Sequence, residues 1–273
     1  MDRTLYLNEN KGLEVLRDGP SIWVKEDGKA GRRIPARLIG RVVVIGNLKL
    51  EAGVITLFTG NDIPVTFMNR SGEEVAVTIP YNHHLPRHHE EQRVFLETEE
   101  NIQRFKMWLY SKRRDVQLGT IKRLSRSAAS LFMSRGFRER DYQEFIKRHR
   151  PGTEEQWKIV NEIISNLFRE MIIGSIMKSD LDPHTGILHR RHNFGLALDI
   201  GYTIGPETDL QGIQFLKSIK ENVSLIKGSE GWAVSKEGIK EIIHRFENRK
   251  KALHEMVERT MDDLFALMRE LRI

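Results

Sequence analysis

The chain has 273 residues, with 39% hydrophobic and 30% charged side chains, a composition typical of a soluble globular protein with a sizeable core. It has no cysteine, so disulfides, thiolate metal sites and cysteine nucleophiles are excluded. Residues 1–10 carry early charges without an apolar run, and charged side chains interrupt the most apolar helical segment, residues 159–177. We therefore expect no signal peptide, no membrane span and a cytoplasmic location. The net charge of +6 points mildly to an acidic partner such as nucleic acid.

Residues 1–80 carry the pattern of a small β-rich domain. A short apolar segment at residues 52–58, with Gly60 just beyond it, predicts one helix. Apolar and β-branched runs between turn residues predict strands at residues 4–7, 21–25, 41–45, 63–68 and 74–79. Few ionisable side chains cluster here, so we interpret this domain as a structural or dimerising module.

The segment PYNHHLPRHHEEQ, residues 80–92, has two prolines and four histidines and few apolar residues. The histidines could bind a metal adventitiously, but adjacent histidines point apart in most backbone conformations, so a solvated hinge is favoured. The predicted organisation is an N-terminal domain at 1–80, a linker at 81–92 and a C-terminal domain at 93–273.

From residue 93 the apolar spacing changes to about 3.6 residues, which predicts helices. Helices are predicted around residues 105–109, 128–132 and 145, over 157–177 and 210–219, and as a pair meeting near residue 250 within 235–272. Residues 223–234 are predicted to be irregular. The fold class is therefore α+β, with a small N-terminal β-rich domain and a larger all-helical C-terminal domain.

Residues 104–150 are strongly basic, since this segment contains 14 Lys and Arg but only four acidic residues. Such a segment is often a solvated face, but its position beside a group of ligand-type side chains favours contact with phosphates. Binding of this kind is salt-sensitive and has little sequence specificity. The predicted nucleic-acid contacts are Lys112, Arg113, Arg114, Lys122, Arg123, Arg126, Arg190 and Arg191.

The densest group of candidate metal ligands lies in residues 181–206, LDPHTGILHRRHNFGLALDIGYTIGP. Asp-Pro followed by a glycine predicts a turn at 182–186. His189 and Asp199 are ten residues apart across a polar bend, a spacing that suits two ligands from consecutive elements on one ion. The alternative is that these residues are solvated or hydrogen-bonded. The whole group is Asp182, His184, His189, His192 and Asp199.

Several segments, in order, match the motifs of a known family. TLYL stands at 4–7, VVVIGN at 42–47 is similar to VVVFGN, and GNDIPVTF at 60–67 is similar to GIPVxF. The most specific is residues 181–199, which follow the pattern LDPxxGxLH…LALD, and WAVSKEG at 232–238 is similar to a helix-entry motif. Over nearly all its length the chain therefore resembles the CRISPR-associated integrase, the universal metal-dependent DNA endonuclease subunit of spacer acquisition.

The resemblance implies an N-terminal β domain, a mostly helical C-terminal domain and a homodimer formed largely through the β domain. It implies duplex or branched DNA as a partner and leaves open a need for the small second CRISPR-associated subunit. It also implies a Mg²⁺ or Mn²⁺ site built from a Glu, a His and an acidic residue. His189 matches the ligand histidine, and Asp199 matches the first acidic residue after it, so both are the candidate catalytic and metal-binding residues.

The chain departs from the family pattern at two ligand positions. The family has E-x-x-A-A where this chain has SRSAA at 125–129, which places Ser125 at the glutamate position, and Tyr202 stands at the second acidic position. A remnant of one His and one Asp would hold Mg²⁺ or Mn²⁺ weakly or not at all. A glutamate of the preceding helix, Glu162 or Glu170, is a further candidate for completing the site.

Three readings of the function follow. We favour a DNA-binding protein of spacer acquisition in antiviral defence, with catalysis impaired by a degenerate metal site. The first alternative is an active Mn²⁺- or Mg²⁺-dependent DNA endonuclease or integrase. The second is a non-catalytic protein-interaction module, in which the positive charge only keeps the protein soluble.

Overall fold

The computed structural model describes residues 3–70, 73–78, 85–219, 223–228 and 231–270. The chain divides into two compact units, Met1–His84 and Leu85–Ile273. Strands dominate the first unit and helices the second, so the predicted α+β fold class is confirmed.

The first unit contains short strands and one helix, α1. The strands, in chain order, are β1 Arg3–Asn8, β2 Glu14–Asp18, β3 Ser21–Glu26, β4 Lys29–Pro35, β5 Ile39–Ile45, β6 Lys49–Leu50, β7 Val65–Met68 and β8 Glu74–Val77, and α1 is Ala52–Thr59 between β6 and β7. One sheet has the order β1-β5-β7-β8, with β5 parallel to β1 and β7, and the other has the order β4-β3-β2-β6. Buried side chains of both sheets and of α1, among them Val15, Val44 and Phe58, form one core.

Three strands of this unit, β2, β4 and the two-residue β6, were missed by the sequence pattern. β2 is interrupted by Arg17, and most of β4 is exposed and polar, so neither has the apolar run that marked the others. Both are defined by antiparallel pairing to β3, as in the opposed residues Leu16 and Trp23. Pairing with a neighbouring strand, which intrinsic propensity does not encode, decides their structure.

The second unit is mainly helical. Its elements are α2 His89–Phe95, α3 Glu99–Leu124, α4 Arg126–Arg135, α5 Glu139–His149, α6 Glu154–Lys178, α7 Gly195–Ser218, β9 Leu225–Gly228, β10 Gly231–Val234 and α8 Lys236–Glu270. Hydroxyl side chains cap three of the helices, as the Oγ1 atoms of Thr98 and Thr153 and the Oγ of Ser125 accept backbone N–H groups of α3, α6 and α4.

Four predictions for this unit differ from the structure. Residues 89–92 of the predicted linker belong to α2, whereas the histidines at 83 and 84 lie outside the described residues. The segment predicted to be irregular contains the β9–β10 hairpin, so the unit is not entirely helical. The predicted pair of C-terminal helices is one helix, α8, of 35 residues. Finally, α7 begins at Gly195 rather than near residue 210, and it continues through Pro206.

In the described part of the chain, no helix is both long and apolar enough to cross a membrane.

Candidate functional site

Asp199 lies near the start of α7 and has no solvent exposure. Its Oδ2 accepts the backbone N–H groups of Ile187 at 2.5 Å and Leu188 at 3.2 Å. Its Oδ1 accepts the backbone N–H of His189 at 3.1 Å and lies 2.8 Å from the Nδ1 of the same residue. A carboxylate has about four lone-pair sites, and here four donors fill them. Asp199 therefore holds the turn that precedes its own helix.

His189 receives a defined orientation from this carboxylate. Because an ionised carboxylate only accepts hydrogen bonds, the proton of a neutral His189 ring lies on Nδ1 and the lone pair lies on Nε2. The side chain is 34% exposed, and its ring lies 6.0 Å from that of His192, centroid to centroid. The Nε2 of His189 thus has no hydrogen-bond partner among the described residues, and it lies beside the exposed segment Arg190, Arg191 and His192.

The preceding turn is held by a second carboxylate, that of Asp182. It accepts the backbone N–H of His184 at 2.8 Å and the hydroxyl of Thr185 at 2.9 Å, and it lies 2.7 Å from Nδ1 of His89. Burial alone raises the pKa of Asp182, but these hydrogen bonds lower it below the ordinary value. Gln92 of α2 completes the turn by exchanging two hydrogen bonds with the Asp182 backbone.

The two turns meet where glycine backbones touch. A Cβ atom at Gly186 would lie 2.2 Å from the carbonyl carbon of Gly195, and one at Gly195 would lie 2.9 Å from the carbonyl oxygens of His184 and His189. Only glycine leaves room for this approach. Phe194, between the turns and α7, has a positive φ of 60° and stacks its ring on that of His184. The turn predicted at 182–186 is therefore part of a tightly hydrogen-bonded structure.

The residues at the expected metal positions do not converge on one point. Ser125 joins α3 and α4, and its Oγ accepts the backbone N–H of Ala128 at 3.3 Å. Among the described residues, no group of three or more His, Asp or Glu side chains is placed to hold a metal ion, so neither Glu162 nor Glu170 completes a site with His189 and Asp199. Mg²⁺ and Mn²⁺ require several oxygen ligands. One imidazole and a carboxylate already filled by four donors do not fit such an ion.

Tyr202, at the second expected acidic position, belongs to a different network. The guanidinium carbon of Arg113 lies 4.2 Å from the centre of the Tyr202 ring, and Nη1 of Arg113 donates to the Tyr202 carbonyl at 2.5 Å. Pro206, four residues later in α7, has no N–H to offer this carbonyl, so Arg113 replaces the missing helical hydrogen bond. A Cβ at Gly205 would lie 3.2 Å from the same Nη1, so the glycine leaves space for the arginine.

Arg113 is held in place by an acidic partner on α5. Its Nε and Nη2 donate to the Glu139 carboxylate at 3.0 and 2.7 Å, and Gln117 donates to Glu139 at 2.6 Å. Burial on its own raises the pKa of Glu139, but the hydrogen bonds from Arg113, Gln143 and Gln117 outweigh it and lower that pKa to about 2. Glu139 therefore stays ionised. Arg113 is only 8% exposed, so its guanidinium is used in contacts inside the protein.

Asp209 lies close to this network, but its pKa is raised, whereas that of Glu139 is lowered. Burial raises its pKa to about 6, although a 2.8 Å hydrogen bond from the Tyr142 hydroxyl and the charge of Arg113 act in the other direction. Burial and the Asp209 charge likewise raise the pKa of the Tyr142 hydroxyl. No sequence motif marked Asp209, which stands among other polar residues in the stretch GPETDLQ at 205–211.

The structure divides the eight predicted nucleic-acid contacts into two groups. Arg113 is buried, Arg123 pairs with the buried Glu207 at 2.6 Å, and Lys112 pairs with Asp263 at 2.5 Å, so internal partners occupy these three. This corrects the expectation that Arg113 lies on the surface. Arg123 is itself exposed despite its pairing with Glu207. The other five are exposed and have no acidic partner among the described residues: Arg114, Lys122, Arg126, Arg190 and Arg191.

Solved structures with the same fold span nearly the whole chain. A Cas1 protein from Thermotoga maritima aligns with a TM-score of 0.78 and 16% identity, covering 99% of this chain and 98% of its own. A casposase bound to integration product aligns with a TM-score of 0.76 and 15% identity, covering 100% and 92%. A Cas6-RT-Cas1–Cas2 complex aligns with a TM-score of 0.73 and 14% identity, covering 98% of this chain and 35% of that one. At these identities the likeness defines the fold.

The sequence itself defines the family. The family model described as CRISPR associated protein Cas1 matches residues 5–149, more than half of the chain. The chain belongs to the Cas1 family. The comparison with curated protein sequences returned no significant match.

Proposed function

We propose that this protein binds DNA in CRISPR spacer acquisition and that its degenerate metal site does not support catalysis. The observation that carries the second half of the proposal is the state of Asp199, whose carboxylate has no solvent exposure and accepts four hydrogen bonds. To coordinate a metal it would have to give up donors that hold residues 187–189. Ser125, a helix cap, and Tyr202, beneath a guanidinium, supply no carboxylate.

DNA binding is assigned to the five exposed basic residues. Arg190 and Arg191 follow His189 directly, and within the described part of the chain neither forms an ion pair, so their charges are available to phosphates. The fold shared with a casposase bound to integration product and with a Cas1–Cas2 complex supports DNA, and a small second subunit, as partners. A homodimer through the N-terminal residues 1–80 is part of the same proposal.

The binding half is tested by the salt dependence of affinity for duplex and branched DNA. Each phosphate contact contributes about 0.9 to the slope of log K against log salt. The double change Arg190→Ala and Arg191→Ala should therefore lower that slope by about 2. The matched control, Lys251→Ala with Arg259→Ala on exposed positions of α8, should leave it unchanged. Failure of the protein to retain DNA at low salt would contradict DNA binding and favour the protein-interaction module.

The catalytic half is tested with Mn²⁺. We expect no Mn²⁺ binding in calorimetry up to millimolar concentration, and no cleavage or joining of branched DNA by the wild type. The competing reading, an active enzyme, draws on the free Nε2 of His189 on a side chain that is one third exposed. Micromolar Mn²⁺ binding and cleavage by the wild type, both lost in His189→Ala, would establish that reading and contradict ours.

A further inference from the structure

A cavity of about 190 Å³ lies in the helical unit, where α6, α7 and α8 come together. None of the residues that form the His189–Asp199 turn lines it, and neither does any of the five exposed basic residues. Its lining combines apolar side chains with amides and two arginines: Ile164, Gln211, Gln214, Phe215, Ile242, Arg245, Asn248 and Arg249.

Two guanidinium groups and no carboxylate line this cavity. The carboxylate of Glu207, 1% exposed, is shared by two guanidiniums, that of Arg249 at 2.7 Å and that of Arg123 at 2.6 Å. Arg245, the other arginine of the lining, pairs with Glu241 at 2.9 Å. Both arginines of the lining are therefore paired with carboxylates that lie outside it. A guanidinium has five N–H donors, so one carboxylate partner leaves donors for a further acceptor, and an anion suits them.

An unused hydrogen-bond donor points to the same kind of ligand. Gln211 is 6% exposed, and its side-chain Nε2 has no hydrogen-bond partner among the described residues. Buried amide N–H groups are nearly always paired, because leaving one without an acceptor is unfavourable. A ligand that only accepts hydrogen bonds would satisfy Gln211 and the remaining N–H donors of the arginines together.

We propose that this cavity binds a small oxyanion, a phosphate or carboxylate group, carried on an apolar body. The oxyanion accepts hydrogen bonds from Gln211 Nε2 and from Arg249, and the apolar body packs on Ile164, Phe215 and Ile242. The size is appropriate, because a cavity of about 150 Å³ admits benzene. This site goes beyond the proposed function, since it uses none of the residues assigned to DNA binding or to the expected metal site.

Calorimetry on the full chain with three small probes tests the proposal. Phenyl phosphate should bind more tightly than inorganic phosphate, which lacks the apolar body, and benzyl alcohol, which lacks the anion, should not bind. Gln211→Leu should weaken phenyl phosphate binding about tenfold, because it removes one hydrogen bond to a charged group. The variant should fold, because it replaces an unpaired buried amide with an apolar side chain of similar size.

The matched control is Gln103→Leu, an exposed glutamine on α3 that does not line the cavity, and it should bind phenyl phosphate like the wild type. Equal affinity for phosphate and phenyl phosphate, or binding unaffected by Gln211→Leu, would mean an adventitious ion only and would overturn the proposal. So would a lack of binding by both anions.

The oxyanion could come from a free small molecule or from the end of a DNA strand. A 5′-phosphorylated oligonucleotide that displaces phenyl phosphate, where its 5′-hydroxyl counterpart does not, would identify a strand end. Phenyl phosphate binding that neither oligonucleotide displaces would identify a free small molecule. Because the probes and Gln211→Leu address the cavity alone, failure here leaves the proposed DNA binding untouched.

Discussion

The entry of α7 and its middle use charged side chains in opposite ways. At the entry, the Asp199 carboxylate accepts backbone N–H groups of the turn before the helix. In the middle, the Arg113 guanidinium donates to the Tyr202 carbonyl that Pro206 leaves without a helical partner. One charge therefore pairs with backbone groups of the turn before α7, and the other with a backbone carbonyl inside α7. Side chains of the types that bind metals or phosphates in other proteins can therefore be fully used in hydrogen bonds within the fold.

The largest effect is expected from Arg113→Ala. The change removes the donor to the Tyr202 carbonyl and leaves the Glu139 carboxylate without its guanidinium, so we expect a loss of about 3–4 kcal/mol of unfolding free energy in urea. The adjacent Arg114→Ala, which removes an exposed guanidinium stacked on the Phe137 ring, is the control and should cost less than about 1 kcal/mol. Equal effects of the two changes would show that Arg113 has no special structural role.

A double-mutant cycle sharpens this prediction. Pro206→Ala restores an N–H that can reach the Tyr202 carbonyl, so Arg113→Ala should cost about 1 kcal/mol less in that background. Simple additivity would contradict the idea that the arginine replaces the missing helical hydrogen bond.

Asp199→Asn should have the next largest effect, a loss of about 2–3 kcal/mol. The amide has one acceptor oxygen, and its NH₂ group would face backbone N–H donors that are already buried. The measurement is urea unfolding in EDTA, where a residue needed only for metal binding would show little change. Asp262→Asn, on an exposed position of α8, is the matched control and should be neutral. A neutral Asp199→Asn would remove the structural role assigned to this carboxylate.

The smallest effect is a pH dependence from Asp209. Its folded-state pKa of about 6 lies above the ordinary 3.8, so the folded protein binds this proton more tightly than the unfolded chain. The stabilisation from this proton is complete below about pH 4 and is lost as the pH rises through 6. The loss is at most about 3 kcal/mol, and it is smaller than this because Asp209 is partly exposed to solvent. Asp209→Asn should flatten the pH profile of unfolding free energy in this window. If the substitution leaves the pH profile of the unfolding free energy unchanged, the pH dependence comes from another group.

Much of the fold could be predicted because the two halves differ in apolar spacing. Val42 to Val44 form a β-branched run that is buried in β5, and Ile163, Leu167 and Met171 have the helical spacing of a core helix. The elements that were missed lack such patterns. β4 is exposed and polar and exists through pairing to β3, and the glycines and Pro206 of α7 are typical of a loop.

The candidate site was predictable in its residues but not in their roles. The ten-residue spacing of His189 and Asp199 was interpreted as two ligands of one ion, and in the structure Nδ1 of His189 lies 2.8 Å from Oδ1 of Asp199. The spacing does not reveal that three backbone N–H groups reach the same carboxylate, because those donors carry no side-chain signature. Gln211 and Glu207 were missed for a related reason, since their surroundings come from α6 and α8, far away along the chain.

The sequence by itself determined the family, the β-rich and helical halves, and the absence of cysteine chemistry, because these depend on composition, local spacing and ordered motifs. Only the tertiary structure decided which charges are available. Arg113 and Arg114 are neighbours in the chain, yet one is buried and the other exposed, because successive residues of a helix point about 100° apart and α5 and α7 cover one side of α3. Whether a charged side chain has a structural role or is available for binding depends on its burial by other elements. The identity of a single residue does not specify that burial.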